Sequence, residues 1–149
     1  MIDERQELEN KNSSVKVKHL SRRSSWLISN DLPSSFKYAS QGVFYALLSQ
    51  RNFRIHIVIG FLVSVFSIWL DLPFTELAIL IITIGAVLAL ELVNTSIEAV
   101  VDLTVGKQFH PLARIAKDCA AAAVFIASLC SLLIAGLLIL PPFFDLLGT

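Results

Sequence analysis

The chain has 149 residues, 55% of them hydrophobic and only 16% charged, and its formal net charge is zero. This length allows one domain at most, and so little charge excludes an ordinary soluble domain, which exposes many more charged side chains. We therefore expect a membrane protein and no nucleic-acid partner. The cysteines, Cys119 and Cys130, have no Cys or His partner at ligand spacing, so they predict neither a disulfide nor a metal site.

The first 33 residues are polar, with acidic side chains followed by a basic half. They contain no contiguous apolar region, so the segment is not a secretory signal peptide. We predict a disordered cytoplasmic tail over residues 1–33 and a membrane domain over residues 34–149. The basic half of the tail either lies against anionic lipid headgroups or is simply solvated.

Apolar residues recur at helical spacing between residues 34 and 54. The apolar positions are Phe36, Val43, Phe44, Leu47 and Leu48, and the polar positions opposite them are Lys37, Gln41 and Gln50. This pattern predicts an amphipathic helix that lies in the membrane interface and does not cross the bilayer. Ser34 or Ser35 is the expected N-cap.

Three apolar segments follow, at about residues 55–72, 76–102 and 117–140. Each comes near the roughly 20 residues that a helix needs to cross a bilayer. The last is predicted to stop at Pro141-Pro142. The expected fold is an all-α membrane protein with three transmembrane helices plus an N-terminal amphipathic surface helix. Small residues along the last segment, Ala120 to Ala123 among them, favour close helix packing, and so small a bundle predicts a homo-oligomer.

The basic residues are distributed unevenly along the chain. Nine of the twelve Lys and Arg precede residue 55, and the other three are Lys107, Arg114 and Lys117. The loop at 71–76 and the C-terminal end contain none. Because basic loops stay in the cytoplasm, we predict a cytoplasmic N-terminus and a C-terminus outside.

Four polar residues in the second apolar segment, which we call the polar stripe, are Glu91, Asn94, Glu98 and Asp102. Their spacing of three, four and four places them on one helix face. A charged residue at the centre of a membrane helix costs about 2.5–3.5 kcal/mol on insertion scales. One such residue could be a structural partner of a Ser or Arg, but three carboxylates with an Asn on one face indicate a functional site.

Arg114, Lys117 and Asp118 lie at the start of the third apolar segment. The two cations, Arg114 and Lys117, either form salt bridges with carboxylates or hold a phosphate whose Mg²⁺ lies on the carboxylates. The chain has no GxxxxGK[ST] motif, so a nucleotide site would not be of the P-loop type. None of the three histidines is interpreted as a metal ligand, and His56 is treated as an isolated side chain.

Two strings of residues carry a family resemblance. They are Glu91-Leu-Val-Asn94-Thr-Ser-Ile-Glu98-Ala-Val-Val-Asp102 and His110-Pro-Leu-Ala-Arg114-Ile-Ala-Lys117-Asp118. Upstream, Phe36-Lys-Tyr38-Ala-Ser-Gln-Gly42 and Asn52-Phe53-Arg54-Ile-His56 extend the match. Over about residues 34–140 the chain strongly resembles the prokaryotic diacylglycerol kinase and undecaprenol kinase family.

The resemblance implies a homotrimer in the bacterial cell (inner) membrane, with its active sites between subunits at the cytoplasmic face. It implies an enzyme that transfers the γ-phosphate of ATP, bound with Mg²⁺, to the hydroxyl of a membrane lipid alcohol. The acceptor would be diacylglycerol or undecaprenol, and the product phosphatidic acid or undecaprenyl phosphate. The segments around His56 and His110 look more like the Gram-positive type, which prefers undecaprenol.

The resemblance also implies roles for individual residues. Glu91 is the general base, and Glu98 ligates Mg²⁺. The nucleotide and phosphate site is lined by Asn94, Lys117 and Asp118, with Tyr38 near it. Where the family usually has a second Glu for the metal this chain has Gln50, a weaker candidate ligand because its amide oxygen carries no charge.

Two other functions are compatible with buried carboxylates. An ion- or proton-coupled transporter also places acidic residues in membrane helices, but more often near the midplane and within inverted repeats, and no such repeat is visible. A structural membrane scaffold would leave Glu91 and its neighbours unexplained. The position of the polar stripe, which runs toward a basic loop, favours the kinase.

Overall fold

The computed structural model describes residues 32–106 and 108–148. Its elements are α1 (Leu32–Ser49), α2 (Arg51–Trp69), α3 (Phe74–Val105) and α4 (Pro111–Leu146). The chain divides into two units between Ser40 and Gln41. The first half of α1 belongs to the first unit. The second half of α1 belongs to the second unit, together with α2, α3 and α4. The tail predicted for residues 1–33 lies outside the described residues, apart from Leu32 and Pro33.

Helices α2, α3 and α4 are each long and apolar enough to cross a membrane, with 19, 32 and 36 residues. A helix rises about 1.5 Å per residue, so even the shortest nearly covers a hydrocarbon core about 30 Å thick. The predicted fold class is confirmed: the chain is an all-α, multi-pass membrane protein with three spanning helices after an N-terminal helix.

The junction of α1 and α2 differs from the sequence prediction. The helix expected to run to about residue 54 ends at Ser49, because Gln50 adopts an extended backbone (φ −102°, ψ 114°) and a new helix begins at Arg51. The Arg54 guanidinium donates to the carbonyl oxygens of Leu47 and Leu48 at 3.4 and 3.3 Å. It therefore satisfies carbonyl groups that the end of α1 leaves without helical partners.

The beginning of α1 also differs from the prediction. The helix starts at Leu32, so Ser34 and Ser35 lie inside its first turn and the predicted N-cap is wrong. Pro33 explains the earlier start, because the fixed φ of proline suits the first turn, where its missing N–H has no helical partner to lose.

The sequence predicts that the last helix stops at Pro141-Pro142, and this prediction is wrong. Both prolines lie inside the helix, which continues to Leu146. The helix also begins at Pro111, six residues before the predicted membrane segment. His110 is its N-cap, with Nδ1 accepting from the Leu112 backbone N–H at 3.2 Å, and Pro111 occupies a first-turn position that needs no donor.

Buried residues on α2 recur every seven positions and form the face that packs on α3. They are Phe53, Gly60 and Ser67. The approach is close at Gly60, where an added Cβ would lie only 2.7 Å from Cγ2 of Ile84. Small side chains permit this close approach, which is how helices associate when lipid removes the hydrophobic driving force.

Helix α3 packs against both α2 and α4. Its buried residues are Leu80, Val87 and Glu91, spaced by seven and four, so Glu91 continues the apolar packing face. On α4 the buried positions are Ala120 and Val124. The predicted alanine packing face is confirmed at Ala120, whereas Ala121 to Ala123 are exposed because they project from other sides of the helix.

Candidate active site along α3

Glu91 is the buried carboxylate of the polar stripe. Only 4% of the surface of Glu91 is exposed. The reason is that Glu91 lies on the same buried face of α3 as Leu80 and Val87. Its Oε1 lies 3.4 Å from Nε2 of His56 on α2. In the described part of the chain this is the one ion-pair contact of the Glu91 side chain.

The prediction that His56 is an isolated side chain is wrong, because it faces Glu91. It follows Phe53 by three residues and precedes Gly60 by four, so it lies on the α2 face that packs on α3. That spacing was readable from the sequence. The missing information was that this face meets α3 at the level of Glu91, which depends on the alignment of the two helices.

Asn94 and Glu98 form the next pair along α3. The Asn94 Nδ2 amide donates to Oε1 of Glu98 at 3.3 Å, one helical turn away. The Asn94 Oδ1 atom is buried and has no hydrogen-bond partner among the described residues. Because a buried acceptor without a donor costs free energy, this oxygen is a candidate ligand for a cation or acceptor for a bound group.

Asp102 pairs with Lys117 across the loop between α3 and α4. The Lys117 Nζ donates to Oδ1 of Asp102 at 2.6 Å. Within the first turns of α4, Nε of Arg114 lies 3.5 Å from Oδ2 of Asp118, which is four residues later. Both of these side chains are largely exposed. The chain enters the connecting loop at Gly106, whose φ of +60° is a conformation that glycine adopts without strain.

These charged residues line an open groove of about 430 Å³. Its walls come from the end of α3, the loop and the first two turns of α4, and include Asp102, His110, Arg114, Lys117 and Asp118. The N-terminus of α4 contributes partial positive charge here, in addition to the two cations. Asp102 and Asp118 balance these two cations, so an anionic ligand that replaced the two aspartates would meet both cations and the helix N-terminus.

The remaining predicted residues lie elsewhere. Tyr38 is exposed on the first half of α1, in the other unit of the chain. Gln50 is the residue between α1 and α2, and its side chain makes no capping hydrogen bond. Among the described residues Glu98 forms no hydrogen bond or ion pair with Lys117 or Asp118, so the polar stripe consists of separate pairs.

The described residues contain no group of three or more His, Cys, Asp or Glu side chains that could hold a metal ion. A closed, all-protein metal cage is thus absent from this part of the chain. Mg²⁺ does not need one, since it usually keeps several waters and binds one or two carboxylates together with substrate phosphates. The Glu98 carboxylate and the unpartnered Asn94 Oδ1 are hard oxygen donors of that kind and fit such an ion.

A second, mostly apolar groove of about 230 Å³ begins at His56. It lies between α2, α3 and α4. Apart from His56, its lining residues are Ile59, Gly60, Val63, Leu80, Ile84, Val87, Ser128, Ser131, Leu132 and Ala135. The polar pair of His56 and Glu91 is thus adjacent to a surface suited to hydrocarbon.

Comparison with known proteins agrees with this arrangement. The sequence profile of the family described as prokaryotic diacylglycerol kinase matches residues 37–140. A diacylglycerol kinase of Synechocystis sp. is 46% identical over 126 residues, which cover 85% of this chain and 72% of that relative. An undecaprenol kinase of Bacillus subtilis is 38% identical over 107 residues, covering 72% of this chain and 86% of that relative.

A diacylglycerol kinase of Escherichia coli is 37% identical over 90 residues, 60% of this chain and 73% of that relative. A match over most of the chain decides against the transporter and the scaffold. The chain belongs to the prokaryotic diacylglycerol kinase family and is a lipid kinase, a phosphotransferase with an alcohol acceptor.

Proposed function

We propose that the enzyme transfers the γ-phosphate of Mg-ATP to the hydroxyl of a membrane lipid alcohol, with Glu91 as general base. The observation that carries the proposal is the burial of Glu91 on a packed face of a spanning helix, beside an apolar groove. A carboxylate is costly there, so its presence favours a chemical role. Water is scarce at this position, which strengthens any interaction between the carboxylate and a substrate hydroxyl.

The reaction needs one proton transfer and one phosphoryl transfer. The alcohol O–H bond breaks and its proton passes to the Glu91 carboxylate. The alcohol oxygen bonds to the γ-phosphorus as the bond from that phosphorus to the bridging oxygen breaks, and ADP leaves with that oxygen. Positioning and neutralisation of charge supply most of the catalysis in such a transfer.

The groove at the start of α4 is the proposed phosphate site. Lys117 and Arg114 are cations there, and both are paired with aspartates at a partly exposed surface. Exposed ion pairs contribute only about 0–1 kcal/mol, so an incoming polyphosphate can take over these cations at little cost. Asn94 and Asp118 complete this site in the proposal.

Mg²⁺ would be held by Glu98, with the Asn94 Oδ1 oxygen as a second donor and Gln50 as the weaker, uncharged candidate. When bound, the ion supplies neutralisation of phosphate charge. Without the ion, Asn94 still has a local function, since its amide N–H orients the Glu98 carboxylate.

We further propose that the enzyme works as a homotrimer in the bacterial cell membrane, with its N-terminus cytoplasmic and its C-terminus outside. The support for an oligomer is that few side chains of the spanning helices are buried within one chain, so most of the helix surface is left for contact with other subunits or lipid. The support for the orientation is the uneven distribution of basic residues along the chain.

The test is phosphate transfer by the purified protein in detergent, with ATP labelled at the γ-phosphate, Mg²⁺, and diacylglycerol and undecaprenol offered separately. The relatives' names point to both lipids, so the label decides between them. Glu91→Gln should reduce kcat by about 100-fold to 10,000-fold, the usual contribution of a general base.

The matched control is Glu76→Gln, which makes the same change in the first turn of α3, at the far end of the helix from the polar stripe. It should transfer phosphate at the wild-type rate. Folded wild-type protein that labels neither lipid would contradict the proposed reaction. Full activity of Glu91→Gln would contradict the role of Glu91 alone.

A further inference from the structure

The structure assigns His56 as the residue that positions the Glu91 carboxylate for proton abstraction. This inference rests on the proposed role of Glu91 as base. Its starting point is the 3.4 Å separation between His56 Nε2 and Glu91 Oε1, at a carboxylate that is almost fully buried. Such a separation is long for a hydrogen bond, as catalytic contacts often are before substrate binds.

The geometry divides the two oxygens of the carboxylate between different tasks. Oε1 faces the imidazole of His56, which can donate from Nε2, whereas no described side chain forms an ion pair with Oε2. An imidazole N–H that holds one oxygen restricts rotation of the carboxylate and leaves the other oxygen to receive the substrate proton. Misplacement of a reacting group by about 1 Å can cost about 100-fold in rate, so such a restraint is significant.

The packing of α2 holds the imidazole in place. His56 is three residues from the buried Phe53 and four from the buried Gly60, at which α2 packs closely on Ile84 of α3. The imidazole is itself about one-quarter exposed, and it forms part of the wall of the apolar groove. It is therefore next to both the base and the surface along which a lipid alcohol would lie.

The experiment compares His56→Leu, which removes the donor, with His56→Gln, which keeps an N–H near the same place. Steady-state phosphate transfer is measured with ATP and with lipid alcohol as the varied substrate. We expect His56→Leu to lower kcat by about 100-fold, the scale of a misplaced reacting group, with the KM for ATP unchanged. His56→Gln should recover most of this loss.

The matched control is Ser67→Ala, which removes a polar group from the same buried face of α2, far along the helix from Glu91. It should leave kcat unchanged, and helical content and Tm verify that each variant is folded. A double variant carrying His56→Leu and Glu91→Gln should be no slower than Glu91→Gln alone, because a positioning residue has nothing left to position.

Three results would overturn the inference: wild-type kcat in His56→Leu, no recovery in His56→Gln, or additive losses in the double variant. These differ from failure of the proposed function, in which the wild-type enzyme transfers no phosphate or Glu91→Gln remains fully active. If the wild type is active and only Glu91→Gln is slow, His56 has no positioning role while the proposed function stands.

Discussion

Asp102 Oδ1 accepts from Lys117 Nζ at 2.6 Å, so the last acidic residue of the polar stripe is bound to the helix that follows the loop. This contact gives Asp102 a role that its position in the sequence did not suggest. The carboxylate orients the lysine at the edge of a groove suited to phosphate. The pair is partly exposed, which limits its contribution to stability.

Asp102→Asn should therefore change the free energy of unfolding by no more than about 1 kcal/mol. Its effect should appear in catalysis, because Lys117 loses its orienting partner and the KM for ATP rises. Unfolding by denaturant in detergent micelles measures the first quantity, and steady-state kinetics the second. Lys117→Met, which removes the cation itself, should raise the KM for ATP further than Asp102→Asn does. The reverse order would mean that Lys117 does not bind phosphate.

Glu98→Gln should raise the Mg²⁺ concentration needed for half-maximal activity by at least about tenfold. Even the loss of a residue that only hydrogen-bonds to a metal ligand typically lowers metal affinity by about tenfold or more. The variant keeps the side-chain shape and an acceptor for the Asn94 amide, so folding should be unaffected. A Mg²⁺ titration at saturating ATP measures the shift. An unchanged titration curve would remove Glu98 from the metal site.

Gln50→Glu tests the weaker, uncharged candidate ligand for the metal. The side chain makes no capping hydrogen bond to α2, so the change should not disturb the helix junction. If Gln50 contacts the metal, the added charge should lower the Mg²⁺ requirement. Unchanged Mg²⁺ dependence would show that position 50 does not touch the ion.

Gly60→Ala should destabilise the protein by about 1–3 kcal/mol, the usual cost of an overpacked interface. The reason is local: the new Cβ would lie 2.7 Å from Ile84 Cγ2. The matched control is Gly85→Ala on the facing helix, where a Cβ meets nothing within 4 Å. It should be neutral or slightly stabilising, because alanine favours a helix. Equal losses in both variants would contradict the close approach of α2 and α3.

The predicted orientation is tested by chemical labelling in sealed vesicles. Single cysteines are introduced at Lys11 in the tail and at Gly148, after Cys119 and Cys130 have been changed to Ser. In right-side-out vesicles a membrane-impermeant maleimide should label position 148 and not position 11. Labelling of position 11 alone would reverse the topology derived from the basic residues.

The sequence by itself determined that this is a membrane protein with three spanning helices. It also placed the residues of the polar stripe on one helix face. These features depend on local properties: a run of apolar residues long enough for a bilayer, and side chains repeated at helical spacing. The motif around Glu91 also indicated the kinase family. Helix ends were less certain from sequence, as the extended backbone at Gln50 and the passage of α4 through Pro141-Pro142 illustrate.

Only the tertiary structure decided which residues of different helices meet. His56 and Glu91 are 35 positions apart, and Asp102 and Lys117 are separated by a loop, so no local pattern relates them. Their contacts depend on how far α2 and α4 are displaced along α3, and the small residue Gly60 permits the close packing of α2 on α3. The sequence therefore identified Glu91 as a buried acid, while helix packing decided which side chain faces its carboxylate.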